Sequence, residues 1–529
     1  MARDLFRPGR SEAFASEAMI ATSHPLSTAT GLAVLREGGN AVDAAIAAVA
    51  TQCVVEPQMT GIGGDCFALY APAGGEVIAL NGSGRAPAAA SVEALRAAGL
   101  TEIPQTSAHA VTIPGAIAAW TLLHQDYGTL PLERLFRDAI GYAENGYPVT
   151  QRVALDWTAA ASLLSADEHA RAVFLPGGHA PREGDRHAQP ALGKTLRAIA
   201  KDGAEAFYRG AAAEAMVARL KALGGLHTLD DFASGETAAH YVAPISTRYR
   251  GYDVYECPPN GQGVAALMIL NILGGFDLGE GLPLADRLHL HAEATKLAYH
   301  HRDMLVGDPD HLPRPVETLL SDEAAAALRS RVRRDEAGRP ALWDEPEHAD
   351  TVYLCVVDRD GNAISFINSI FHSFGSTRLE PKTGVLLHSR GFSFRLIDGH
   401  PNAIRGGKRP MHTIIPGMLR KDVRTVMPFG VMGGHYQAAG QAAFLSGVLD
   451  RGLDLQSAID APRSFAFDGV LDVEPTVDAA TLERLTALGH RVTIADKPIG
   501  GAQAIWIDRE RGLLRGGSDP RKDGMALGF

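Results

Sequence analysis

Apolar and polar residues alternate with two different periods along this chain. Helical spacing dominates early and strand spacing late. "HPLSTATGLAVLREGGN" carries apolar residues at helical intervals and stops at Gly38 and Gly39, where glycine supplies the left-handed turn of a helix end. Asn40 then caps "AVDAAIAAVATQCVV", with Asp43 three residues on. That second helix is built of small residues and is expected to pack closely on a sheet. "MTGIGGDCFALYAPAGGEVIALNGSGRAP" predicts a glycine turn, two strands joined around Gly74–Gly75, and a second turn. Residues 114–223 have mostly helical spacing. "YRGYDVYECPPNGQG" returns to strand and loop, and "GVAALMILNIL" and "RLHLHAEATKLAYHHRDML" are helical. From Thr351 onward strands dominate, with helices near "AGQAAFLSGVLDRG" and "DAATLERLTALG". This order has no βαβ alternation. It predicts sheets layered with helices, an α+β class, and excludes a doubly wound fold.

One junction stands out. "RSRVRRDEAGRPALWDEPEHAD" is charged, carries Pro340 and Pro346, and has the composition of an exposed loop ending at Asp350. Thr351 follows at once and opens a run of β-branched and apolar residues. "TVYLCVVD" and "AISFINSI" flank "RDGN", a hairpin signal in which Asp360-Gly361 suits a two-residue type I′ turn. With that turn Thr351 faces Ile370; with a loop one residue longer it faces Ser369. Either way Ser369 stands beside Thr351 on the neighbouring strand. An ordinary Thr/Ser hairpin satisfies the same pattern, and so does a buried nucleophile with a hydroxyl neighbour. In "FGVMGGHYQ", Gly433 and Gly434 can turn two backbone N–H groups toward a developing oxyanion, or form a plain tight turn. "GIGGD" (61–65) fits neither GxGxxG nor a P-loop and is expected to be structural. His289, His291, His300 and His301 share one helical stretch without a metal-binding spacing, and no metal site is expected.

Composition narrows the function classes. The 529 residues are 46% apolar and 21% charged, with a net charge of −11 that forms no long block. Nucleic acid and anionic membranes are therefore not expected partners. The first twenty residues are charged and lack an apolar core, and no run of about 18 apolar residues occurs. Cys53, Cys66, Cys257 and Cys355 are scattered, as in a reducing compartment, so the cytoplasm is the expected location.

Taken in order, "GGNAVDAA" (38–45), "VEPQMTGIGG" (55–64), "IPGAIAAW" (113–120), "YRGYDVYECPP" (249–259), "VVDRDGNAIS" (356–365), "GKRPMHTIIPGM" (407–418) and "MGG" (432–434) resemble the γ-glutamyltransferase family of N-terminal-nucleophile hydrolases. The resemblance implies a four-layer αββα sandwich. It implies a precursor that cuts itself between Asp350 and Thr351, leaving a large chain (1–350) and a small chain (351–529) that stay associated as one fold. A dimer of processed pairs is compatible with it. Thr351 becomes the nucleophile, Ser369 its neighbouring hydroxyl, and Gly433 and Gly434 the oxyanion donors. Neither metal nor organic cofactor is implied.

The pocket departs from that family. An arginine that grips the substrate α-carboxylate is replaced by Ser83, with Arg85 two residues later. A substrate-binding asparagine becomes Phe371, an acidic residue becomes Ser393, and a serine pair becomes His412 and Thr413. Arg390 stands where a glutamine is usual. These motifs look more like the branch that includes oxamate amidohydrolases. The expected activity is hydrolysis of a small carboxylate-bearing amide, with Arg390, His412, Thr413 and Arg85 as substrate-binding candidates. A structural ion pair is the alternative role for Arg390. Other expectations kept open are a γ-glutamyl hydrolase or transferase, a β-lactam acylase, and a catalytically silent binding protein.

Overall fold

The computed structural model describes residues 9–339 and 351–529. Helix α1 (Pro25–Arg36) begins with Pro25 behind His24, whose ring nitrogen accepts the Leu26 N–H. It ends before Gly38, at φ +96°. Helix α2 (Ala41–Val55) starts with the predicted capping box: Asn40 accepts the Val42 and Asp43 N–H groups, and Asp43 accepts that of Asn40. Every residue of α2 is buried. Alanine makes this feasible, because three helices (α1, Ala116–Tyr127 and Leu132–Asn145) and a sheet all pack against it. Later come α3 (Gly263–Leu273), α4 (Leu284–Leu305) and α5 (Tyr436–Leu449). None of the described helices is long and apolar enough to cross a membrane.

Four strands lie at or near the middle of two large sheets: β1 (Asp65–Ala71), β2 (Val352–Val357), β3 (Ala363–Ser369) and β4 (Arg424–Met432). One seven-stranded sheet runs Met525–Gly528, Met19–Thr22, β2, β3, β1, Ile78–Gly82, His240–Val242. The other runs Ala13–Ala15, Leu513–Ser518, Gly501–Asp508, β4, Gly417–Lys421, Tyr252–Glu256, Ile245–Tyr249.

The layers follow from the period-two alternation of the strands. Leu354, Val356, Ile364, Phe366, Cys66, Ala68 and Tyr70 pack on the helical side with α2. Their neighbours Tyr353, Cys355, Ala363, Ile367, Phe67 and Leu69 point the other way, against Met418, Met432 and Ile505 of the second sheet. Helices α3, α4 and α5 cover that second sheet's outer face. The result is helix, sheet, sheet, helix, as expected for an αββα sandwich. Residues 114–223 are mostly helical, as their spacing predicts. Asp350 and residues 340–349, where the sequence predicts an exposed loop, lie outside the described residues.

Candidate active site

The hairpin of β2 and β3 pairs Val352 with Asn368 and Val357 with Ala363, which sets Thr351 opposite Ser369. The connection is three residues long, the longer of the two loops that the Asp-Gly signal allows and the one that sets Thr351 opposite Ser369. Gly361 N–H donates to the Asp358 carbonyl (3.0 Å), and Gly361 takes φ +84°. Such a type I turn closed by a left-handed residue is the three-residue hairpin geometry. The Asp358 carboxylate favours it by accepting the Asp360 and Asn362 N–H groups at 3.1 and 2.9 Å. It also accepts the Ala41 N–H (2.9 Å), tying the turn to the start of α2.

Thr351 follows the odd-numbered side of β2, which faces the second sheet. Its Oγ donates to Ser369 Oγ at 3.3 Å, and both residues are buried. Ser369 Oγ also accepts the Phe371 N–H (2.9 Å). On the next strand Ser369 pairs with Asp65. Thr351, Ser369 and Asp65 thus form a polar row across three adjacent strands, all on the face between the sheets. Asp65 belongs to "GIGGD", the stretch expected to be merely structural. The glycines explain its depth: a Cβ on Gly64 would sit 2.3 Å from the Ser369 carbonyl oxygen, and one on Gly63 the same distance from that of Leu386.

Asp65 is fully buried and accepts N–H bonds from Gly84 and Gly115, both at 3.0 Å, and from His412 Nε2 at 3.1 Å. His388 lies 3.7 Å away. Burial alone would raise its pKa, but His388, His412 and Arg390 outweigh that and hold it below the usual carboxylate range. Burial pushes His412 down to about 3, assisted by Arg390. A neutral ring donating Nε2–H to a carboxylate is the consistent state. His412 is therefore committed to Asp65, and its Nδ1 accepts the Ile414 N–H.

Arg390 has no exposed surface. Its Nη1 donates to Thr413 Oγ at 3.1 Å, and its guanidinium lies 3.9 Å from the centre of the Phe371 ring. Its Nε and Nη2 have no hydrogen-bond partner among the described residues. Burial lowers it to about 9, with Asp65 opposing, so it stays charged at neutral pH. Phe371 adopts φ +82°, a backbone state that costs a bulky residue on the order of 1–3 kcal/mol. That strain turns the chain directly after Ser369 and puts the ring under Arg390. Arg85 is not brought into this group. It is partly exposed, with Nη1 on the Gly407 carbonyl (2.8 Å) and 3.8 Å from Asp308. Ser393 Oγ donates to the Arg390 and Met411 carbonyls and is likewise engaged in holding the loop.

Gly433 and Gly434 end β4 at φ +122° and +56°, before α5. Neither N–H donates to an acceptor among the described residues. Gln437, in the first turn of α5, donates from Nε2 to Thr351 Oγ at 3.3 Å, while its Oε1 accepts the Ile415 N–H. The glycine turn is thus within one helical turn of a residue touching Thr351. Gln262 donates to the Thr413 and Gly434 carbonyls (2.7 and 3.1 Å), and Arg302 donates to Gln262 and bonds His435. The sequence carries no sign of Gln437, Gln262 or Arg302, because each acts across elements far apart in the chain.

Of the helical histidines, His289 bonds His490 (2.8 Å) and the Arg333 carbonyl (2.6 Å). With Glu293 these two rings bring donor atoms within 4.8 Å of one another. Glu293 in turn holds Lys296 and the Gly338 N–H, so the cluster clasps the segment leading toward residue 340.

Residues 27–529 match the gamma-glutamyltranspeptidase family. The chain belongs to it. This gamma-glutamyltranspeptidase-family chain is 37% identical over 529 residues to the oxamate amidohydrolase proenzyme of Klebsiella pneumoniae, covering 97% of this chain and 98% of that one. It is 36% identical over 526 residues to a glutathione hydrolase-like proenzyme of Bacillus subtilis, with the same coverage. Its fold matches the crystal structure of cephalosporin acylase from Bacillus halodurans with a TM-score of 0.93 and 40% identity, over 100% of this chain and 98% of that one. Family membership makes this gamma-glutamyltranspeptidase relative an enzyme of the hydrolase and transferase class.

Proposed function

We propose that the chain is a self-processing amidohydrolase acting on a small amide that carries a carboxylate beside the scissile bond, with oxamate as the substrate. Processing separates residues 1–350 from 351–529. Thr351 Oγ attacks the Asp350 carbonyl, and the ester so formed is hydrolysed. The freed α-amine, with a reference pKa of about 7.7–8.0, then serves as base for its own hydroxyl. In turnover Oγ adds to the amide carbon while the Gly433 and Gly434 N–H groups hold the oxyanion. The amine protonates the departing ammonia. Water hydrolyses the oxalyl ester, so oxamate and water become oxalate and ammonia. Ser369 and Gln437 hold Thr351 Oγ in place.

The observation that carries the substrate reading is Arg390, a buried guanidinium with Nε and Nη2 unpartnered, close to the loop that follows Ser369. A planar fork suits one carboxylate. The kinship with an oxamate amidohydrolase proenzyme supports the same choice. A longer acyl amide is the second reading, favoured by the similarity to cephalosporin acylase. Steady-state product release measured on oxamate, a γ-glutamyl amide and an acylated β-lactam nucleus tests both. Preference for oxamate is expected. A preference for the γ-glutamyl amide would overturn the Arg390 reading and leave the threonine mechanism standing.

A further inference from the structure

Behind α5, on the side away from Thr351, lies a cavity of about 440 Å³. It is walled by α4, α5, the helix Leu455–Asp460 and the strand Ser464–Phe467. Leu288, Phe444 and Leu453 give it an apolar interior, and Arg287, Arg451 and Arg463 also line it. No acidic side chain does so among the described residues.

The three arginines are not equivalent. Arg463 is satisfied by the Ile499 and Ile459 carbonyls and by Asp519. Arg287 and Arg451 each keep a buried Nε with no hydrogen-bond partner among the described residues. Arg287 is only 9% exposed, and Nη2 reaches the Leu282 carbonyl at 2.7 Å. Burial, together with the Arg451 charge, lowers Arg287 to about 10. Asp450 is close enough to act on Arg287, but its oxygens already hold Tyr249 and Arg250. Glu280 acts on Arg451 from outside the lining. Two like charges with spare donors thus border an apolar space of small-molecule size. An unpaired buried N–H is costly and any acceptor relieves it; two guanidinium charges side by side favour an acceptor that is an anion.

We propose that this cavity binds an amphipathic monocarboxylate, with its carboxylate between Arg287 and Arg451 and its hydrocarbon chain against Leu288, Phe444 and Leu453. The site is separate from the Thr351 centre but shares α5 with it. Tyr436, Gly440 and Phe444, four residues apart, face the cavity, while Gln437 faces Thr351.

Calorimetric titration of the full chain with hexanoate tests this, with acetate and hexanol as the charge-only and chain-only controls. One hexanoate per chain is expected, at least tenfold tighter than either control. Arg287→Gln, on α4, and Arg451→Gln, in the turn after α5, both checked for parental circular dichroism, should each weaken hexanoate at least tenfold. Arg390→Gln, at the Thr351 centre, should leave it unchanged. Absence of hexanoate binding would overturn the proposal. So would hexanol or acetate binding as tightly, parental affinity in both cavity variants, or loss of binding in Arg390→Gln.

Discussion

Arg390→Met distinguishes a guanidinium held for a ligand from one held for the fold. Methionine keeps bulk on the Phe371 ring and removes the charge. The change loses one charge-assisted bond, to Thr413 (about 1.5–3 kcal/mol), and the stacking on Phe371 (about 1–2 kcal/mol). It also removes two buried, unpartnered donor nitrogens, each costing about 1–3 kcal/mol. Asp65 keeps the Gly84 and Gly115 N–H groups and His412. At their midpoints these contributions nearly cancel, which leaves the longer-range attraction to Asp65 as the net loss, so urea unfolding of the variant should stay within about 2 kcal/mol of the parent. Turnover should not. Two charge-assisted bonds to a substrate carboxylate are worth about 3–6 kcal/mol, or about 10²–10⁴ in kcat/KM for oxamate. A structural pair with Asp65 predicts the reverse: a stability loss of about 3–5 kcal/mol, from stranding a buried carboxylate, with substrate affinity unaffected in the folded fraction. That outcome would refute the assignment of Arg390 to the substrate.

Thr351→Ala should yield one uncut, inactive chain. The parent should show bands of about 37 and 19 kDa, scaled from 56.0 kDa by residue number, the smaller beginning Thr-Val-Tyr-Leu; a different start would move the nucleophile elsewhere. Gly433→Ala places a Cβ 2.9 Å from Gly500 Cα at φ +122°, so the turn must shift and activity should fall on the order of 10²–10³; parental turnover would remove Gly433 from the oxyanion site. Burial holds His24 and His412 near 3 and His227 and His291 near 4. Below pH of about 6.5 the unfolded chain takes up protons that these folded rings refuse. The contribution of these rings should therefore be level above pH 7 and fall toward pH 4, by up to about 1.4 kcal/mol per pH unit for each ring, and the four together outweigh the opposite slope of the buried Glu56 and Glu256 carboxyls, which burial raises. Urea midpoints that do not change between pH 7 and 5 would contradict this.

Local chemistry was the legible part of the sequence. The Asn40–Asp43 cap, the glycine stop of α1 and the strand hairpin after Thr351 each depend on residues a few positions apart, and all appear as expected. The loop length was harder. Asp-Gly supports both two- and three-residue turns, and the Asp358 carboxylate decides between them through contacts that include the distant Ala41 N–H. Asp65 was the largest omission. Its role arises from β1 lying beside β3, a pairing of residues some three hundred positions apart that no local period encodes. His412 and Arg85 fit a pocket by residue type, yet one turns to Asp65 and the other to Gly407.

The placement of β2 and β3 in the middle of their sheet bears on what a cut before Thr351 would mean for assembly. Met19–Thr22 flanks one side of the hairpin and β1 the other, both from the first 350 residues. The second sheet is interleaved in the same way, with Tyr252–Glu256 beside Gly417–Lys421. The two products would share both sheets rather than meet at a surface. Parting them would mean unzipping hydrogen-bonded strands, so separation and unfolding become a single event, and dilution alone should not drive it. The way back differs, since two separated pieces must find each other while one uncut chain need only fold. Refolding from denaturant should be concentration-dependent for the cut protein and concentration-independent for Thr351→Ala.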